Sequence, residues 1–335
     1  MADIDVDALL APVNDAAPCG DDLEYDPAFQ ALEEAARGKP EQQFGDTVIA
    51  AVDPDWRAMK EQSIALFDRT RDLRVGIHLL RAATRLNGCS GFASGIELVR
   101  GLLERHWDHV HPMLDAADHC DATMRLNALA PLADAGSVLA DLRSATIGAG
   151  RGGLTVRQIE LALGKAEPRA GESVPSVAGI AQALNSAAAQ SPGVLGELVE
   201  AHAAVCAIET LLDQRAGAAE GPDLRALRVL TQSLSQVSQQ ARGDAAETTV
   251  NGSDAAPAAV PSVGATSASI NGRDDAIKAL ERVCEWIERH EPTNPAPLLI
   301  RRAQRLMTKN FMDIIRDLAP DGLKEVERIA GTDSA

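Results

Sequence analysis

The sequence predicts an all-α protein. Apolar residues recur at spacings of three and four along most of its 335 residues, which places them on one face of successive helices. Period-two alternation is scarce, and the periodic stretches are punctuated by Gly, Pro and Asn-Gly breaks. A chain of this length suits about two domains, each able to bury a core. The pattern divides it into an N-terminal helical domain over 1–147, a middle helical domain over 155–240, a flexible linker over 242–269 and a small C-terminal helical oligomerisation domain over 270–335.

Residues 1–52 are interrupted by Pro12, Pro18, Gly20, Pro27, Gly38, Pro40 and Gly45, so only short helices fit, one of them near Ala28–Ala36. Thr47-Val48-Ile49 is β-branched and suits an extended segment, although one strand makes no sheet. A helix start follows. Asp53 is placed to cap, Pro54 has its φ preset for the first turn, and Asp55 suits the positive end of the dipole. Trp56, Met59, Leu66, Phe67 and Leu73 share a broad face that continues through Ile77, Leu80 and Leu86 to a stop at Asn87-Gly88. Phe92, Ile96, Val99, Leu103, Trp107 and Val110 pattern the next helix, which Pro112 ends. Met124–Leu132 and Val138–Ile147 complete the first domain.

After the glycine-rich break Gly148–Gly153, Thr155 and Gln158 form a capping box for a helix from Val156 to about Leu163. Glu167–Val174 reads as a loop, and Val177–Ala189, Val194–Gln214 and Leu224–Val237 as helices. Arg242–Ser269 holds neither Leu nor any aromatic residue, so it buries too little to offset ordering entropy and is expected to be disordered. Order returns at Ile270. Asn271 can cap, Ile277, Leu280, Cys284 and Ile287 mark one face, and His290–Pro297 makes a stiff proline turn. The roughly 65 residues that remain carry more apolar positions than a core so small can bury, which points to self-association. Leu298, Leu299, Leu306, Phe311, Ile314 and Ile315 are the candidate oligomer interface.

Composition excludes several functions. Lys plus Arg number 32 against 49 Asp plus Glu, a net charge of −17 that disfavours nucleic acid. Aromatic residues are 3% of the chain, too few to stack single-stranded bases widely. No run approaches the ~18 apolar residues of a membrane span. The N-terminus lacks a basic start and apolar core, and the five cysteines fall in no CxxC spacing, so the chain reads as cytoplasmic with reduced thiols. The acidity is concentrated in residues 1–55, with fourteen Asp/Glu against Arg37 and Lys39, whereas 270–335 is nearly neutral. That contrast lets the tail approach copies of itself at little Coulomb cost.

No cofactor or catalytic set emerges. His106, His109 and His111, with Asp115, His119 and Cys120 nearby, are the one constellation that could hold a metal ion and support a metal-dependent hydrolase. HExxH is missing, and histidines at a helix end are commonplace. Asp21–Asp26 lacks the ligand spacing of a calcium loop. Gly148-x-Gly150-x-x-Gly153 matches a dinucleotide fingerprint by letter, yet a predicted helix precedes it instead of a strand. Gly88-Cys-Ser-Gly91 falls short of a nucleophile elbow, and Cys89 has no identifiable base. Arg301, Arg302, Arg305 and Lys309 form a basic stripe that fits an acidic partner or a solvated face equally well. These readings leave an assembly or scaffold protein, with a generic helical adaptor as the alternative.

Six motifs occur in order: Pro18-Cys-Gly-Asp-Asp-Leu-Glu-Tyr-Asp-Pro-Ala-Phe29, Gln43-Phe-Gly-Asp-Thr-Val-Ile49, Pro54-Asp-Trp56, Arg69-Thr-Arg-Asp-Leu-Arg74, His106-Trp-Asp-His-Val-His-Pro112 and Met124-Arg-Leu-Asn-Ala-Leu129. As a set they resemble the ImpA-type N-terminal domain of the TssA proteins of bacterial type VI secretion. The run from His290 to Leu306, with Phe311–Ile315 and Leu318–Gly322, is similar to the C-terminal domain of the shorter TssA members. The resemblance implies a non-enzymatic, cytoplasmic assembly factor. It further implies a ring-like oligomer built through the C-terminal region, with baseplate components, Hcp, VgrG and the TssB–TssC sheath as partners.

Overall fold

A computed structural model describes residues 4–38, 42–44, 47–115, 117–148, 153–216, 221–250, 273–290 and 295–307. The chain divides into two compact units, residues 1–254 and 255–335. Among the described residues the fold is all-α apart from two short hairpins.

The first unit opens with α1 (Val6–Leu10) and α2 (Pro27–Arg37). Asp5 and Asp26 cap them through their carboxylates, and Pro27 occupies the first turn of α2. Thr47–Ile49 is extended, as its β-branching suggests, and its partner is β1 (Gln42–Phe44), with Gln43 opposite Val48. α3 (Trp56–Phe67) begins two residues later than the Asp53 cap implies. Asp55 is the cap, and its carboxylate accepts from the Ala58 amide at 3.0 Å.

The expected continuous helix to Leu86 is instead two. α3 ends at Phe67, and Asp72 caps a new helix by accepting from the Arg74 amide at 2.7 Å. A buried carboxylate that satisfies a free amide ends one helix and starts the next, a signal easily hidden inside a continuous apolar face. α4 (Leu73–His106) bends at Gly88, whose φ of 65° is non-helical. A Cβ there would strike the Thr146 carbonyl oxygen, so the close approach of chain to chain requires glycine. The two expected helices on either side of Asn87-Gly88 are thus one bent spine, about 50 Å of helical rise.

α4 ends at His106, six residues before Pro112, because the carbonyls beyond it are claimed by Arg125. α5 (Thr123–Leu129) passes into a 3₁₀ turn over Ala130–Leu132, and α6 (Val138–Ser144) stops short of Ile147. Thr146–Ile147 forms β3, antiparallel to β4 (Leu154–Thr155). Both halves of the predicted capping box at Thr155 and Gln158 are made, opening α7 (Val156–Ala162). α8 (Val177–Gln190), α9 (Val194–Arg215) and α10 (Arg225–Val250) follow. α10 runs to Val250, into the stretch expected to be disordered from Arg242.

One cluster of buried apolar side chains runs from Leu10 to Ala241, with Phe67, Phe92, Ile96, Leu198 and Leu227 among its members. Residues of 1–147 and of 155–240 therefore share a core, with α4 and α9 packed along each other at its centre.

The second unit holds α11 (Arg273–His290) and α12 (Ala296–Met307), packed as a helical hairpin. Cys284 is fully buried between them, its thiol 3.9 Å from the Pro297 carbonyl oxygen. The Gln304 side-chain amide donates to the Ile277 carbonyl at 3.0 Å. Residues 251–269 of the expected linker, Asn271, Phe311, Ile314 and Ile315 lie outside the described residues, as does the side chain of Leu306.

Candidate functional site

Two of the motifs, His106–Pro112 and Met124–Leu129, meet at a buried arginine. Arg125 on α5 is 0% exposed, and its guanidinium lies 5.0 Å from the Trp107 ring centroid. It donates to the Trp107 carbonyl, to Val110 at 2.6 Å and to Pro112 at 3.0 and 3.1 Å. Burial pulls its pKa down to about 10, still far above neutrality, so the charge is kept. That charge fixes the chain after α4 by saturating carbonyls that no helix satisfies.

A second arginine holds the N-terminal strap. Arg71 donates to Ala11 O from Nε at 2.9 Å and from a second guanidinium nitrogen at 2.5 Å, and to Thr70 O at 3.1 Å. Its own amide donates to Cys19 O at 2.7 Å. The Thr70 hydroxyl donates to Asp21 O at 2.7 Å, and Gly20 bridges to Thr70. His106 Nε2 bonds Leu10 O at 2.9 Å, and His111 Nε2 bonds Gly20 O at 3.2 Å. His109 is exposed. His106 and His111 are thus spent on separate backbone carbonyls while His109 faces solvent, and no group of three or more His, Cys, Asp or Glu placed to hold a metal ion exists among the described residues. The metal-hydrolase reading loses its ligand set.

The other sequence candidates are structural as well. The Gly148–Gly153 segment joins two antiparallel strands, not a strand to a helix. Burial pushes the Cys89 thiol up to about 12 and Cys19 up to about 11, away from thiolate chemistry. A pair that sequence spacing did not single out is Cys206 with His202, 3.7 Å apart on α9. Burial raises that thiol and lowers that imidazole, the reverse of an activated couple.

The acidic front is partly neutralised on its own surface. Arg74 meets Asp72 at 2.7 Å, Glu24 at 2.7 Å and Asp22 at 3.3 Å, and stands 4.7 Å from the Phe29 ring centroid. Arg69 pairs with Asp26 at 2.6 Å. Asp21–Asp26 is thus an arginine-binding strap rather than a cation loop.

One exposed apolar surface lies on the second unit. Leu298 is 73% exposed and Leu299 69%, both near the start of α12. Val283 and Trp286 on α11 are also exposed. Trp286 lies about 140° around the helix from the Ile277–Leu280–Cys284–Ile287 face at 100° per residue, so it cannot join the hairpin's inner contact. The off-stripe spacing of that tryptophan is readable in the sequence. Arg301 pairs with Glu288 at 3.0 Å, which assigns one member of the basic stripe to an intrachain contact.

Comparison with known proteins bears on these surfaces. The family model for the ImpA N-terminal region of the type VI secretion system matches residues 10–134. The type VI secretion system component TssA1 of Pseudomonas aeruginosa is 37% identical over 348 residues, covering 99% of both chains. A solved structure is also similar: the N-terminal domain, including the conserved ImpA_N region, of the TssA component from Burkholderia cenocepacia. It aligns with a TM-score of 0.53 and 25% identity, over 72% of this chain and 96% of that one.

Proposed function

The chain belongs to the TssA family of type VI secretion system components, and from that premise we propose that it is a non-enzymatic assembly protein of this machine. In this reading it works in the bacterial cytoplasm as a ring-like oligomer that couples the baseplate to polymerisation of tube and sheath. Its partners are then baseplate components, Hcp, VgrG and the TssB–TssC sheath. No helix among the described residues is long and apolar enough to cross a membrane.

The observation that carries the oligomer is the exposure of Leu298 and Leu299, which the described helices α11 and α12 leave uncovered. Adjacent exposed leucines with Val283 and Trp286 on the same hairpin are the kind of surface that self-association removes from water. Phe311, Ile314 and Ile315 extend the proposed interface along the sequence.

Light scattering of the full-length protein tests this. The intact chain is expected as a multi-subunit species, and the double change Leu298→Asp with Leu299→Asp as a much smaller one with unchanged helicity. A monomeric wild-type protein would overturn the reading, as would an undiminished mass in the variant.

A further inference from the structure

A groove runs between α4 and α9 on the first unit. One cavity of about 600 Å³ is floored by Ala93, Ala201 and Ala204, with Ala203 and Ala207 along its side. A second, of about 440 Å³, shares Ala207 and continues along α9 as far as Arg215. From Glu197 to Arg215 α9 rises about 27 Å, the length of an 18-residue helix. Alanines on both walls let another backbone approach closely, while leaving room for large side chains that neither wall supplies.

The rim is charged unequally. Glu97 and Glu104 share Arg100, with Glu104 2.8 Å from it. Glu197 accepts from the Ser90 hydroxyl at 2.5 Å, and Glu200 is exposed. Three glutamates, Glu97, Glu197 and Glu200, thus stand against Arg100 toward the Glu197 end, while Glu104 faces Arg215 across the second cavity and Arg215 lies 5.9 Å from the Trp107 ring centroid. The occupant that fits has bulky apolar side chains on one face and basic residues beside them.

We propose that this groove docks an amphipathic helix of a partner protein, with leucine-like anchors over Ala201 and Ala204 and lysine or arginine facing Glu97, Glu197 and Glu200. The surface belongs to the first unit and does not rest on self-association of the C-terminal hairpin.

The test titrates full-length protein against a fluorescein-labelled 18-residue peptide by fluorescence anisotropy. The peptide carries Leu at i, i+3, i+4 and i+7 positions and Lys elsewhere, and a control peptide carries Glu in place of each Lys. Ala203→Trp fills the groove from an exposed position, and Glu200→Lys reverses one rim charge. The Lys peptide should bind wild type at least about ten-fold more tightly than the Glu peptide, and each variant should lose about ten-fold with unchanged circular dichroism. If the tryptophan impairs folding, Ala203→Arg makes the same obstruction with a side chain that stays hydrated. Absent binding, equal binding of both peptides, or wild-type binding by the filled groove overturns the proposal. A drop in mass on filling it would assign the groove to a second copy and overturn it equally.

Discussion

Arg125 brings a full charge into the core and meets peptide carbonyls there instead of a carboxylate. Removing it leaves the carbonyls of Trp107, Val110 and Pro112 buried without a donor, and each such loss costs about 1–3 kcal/mol. Arg125→Met should therefore lower unfolding stability by about 3 kcal/mol or more, read from the urea midpoint. Arg125→Lys should recover less than half of that, because one ammonium cannot fan across three carbonyls. The surface carboxylates set a second, pH-dependent effect. Hydrogen bonds from Arg157 and Arg225 hold Glu172 and Asp223 at about 2, and the Arg69 and His78 side chains hold Asp26 and Glu33 below their usual range. These groups bind protons more weakly folded than unfolded, so their contribution is complete above about pH 4.5 and is lost as pH falls toward 2. Asp141 works the other way, since burial lifts its carboxyl despite Arg81. Melting temperature at constant ionic strength should accordingly dip slightly from pH 7 to 5, where the partly buried His202 is harder to protonate folded than unfolded, and fall further below 4.5 as the paired carboxylates protonate. A melt unchanged at pH 3 would contradict the assignment.

At the scale of elements, α1 is attached by a close fit more than by area. Leu10 seats against Gly101 of α4, where a Cβ would collide with the leucine Cδ1, and Arg71 and His106 hold the carbonyls of Ala11 and Leu10. Gly101→Val should lift α1 from α4 while the rest of the core stays closed. Hydrogen exchange should then speed up at residues 6–11 with little change along α9. Uniform acceleration would mean that the core itself had opened. How much of this was legible depends on where the information lies. The capping box at Thr155 and Gln158 was readable because both partners are local, and the helices α8 and α9 because their apolar period is unbroken. The division between α3 and α4 was not, because Leu66, Phe67 and Leu73 keep one face apolar across a break made by a buried aspartate. The hairpins β1–β2 and β3–β4 depend on pairing across turns, which no single strand announces. Arg125 was visible only as part of the Met124–Leu129 motif: its role requires carbonyls 13 to 18 residues away. The histidine run was visible as a pattern, but its physical use, bonding the carbonyls of Leu10 and Gly20, lies about 90 residues upstream in the fold.

For the whole molecule, the division into two units makes a prediction that separates folding from assembly. The buried cluster of the first unit closes with Ala241, and Cys284 of the second unit is buried outside that cluster. A chain ending at residue 254 therefore keeps every apolar contact of that core and should unfold cooperatively, with a melting temperature within a few degrees of the first transition of the full-length protein. The same fragment lacks Leu298 and Leu299. If the C-terminal hairpin supplies the self-association proposed above, its light-scattering mass should be that of one chain. The two readouts fail in different ways. A fragment that no longer melts cooperatively would show that the first unit needs the second to fold. A fragment that folds yet remains a large oligomer would move self-association onto the first unit, where the α4–α9 groove offers an unfilled surface, and would leave the exposed leucines of α12 for another partner.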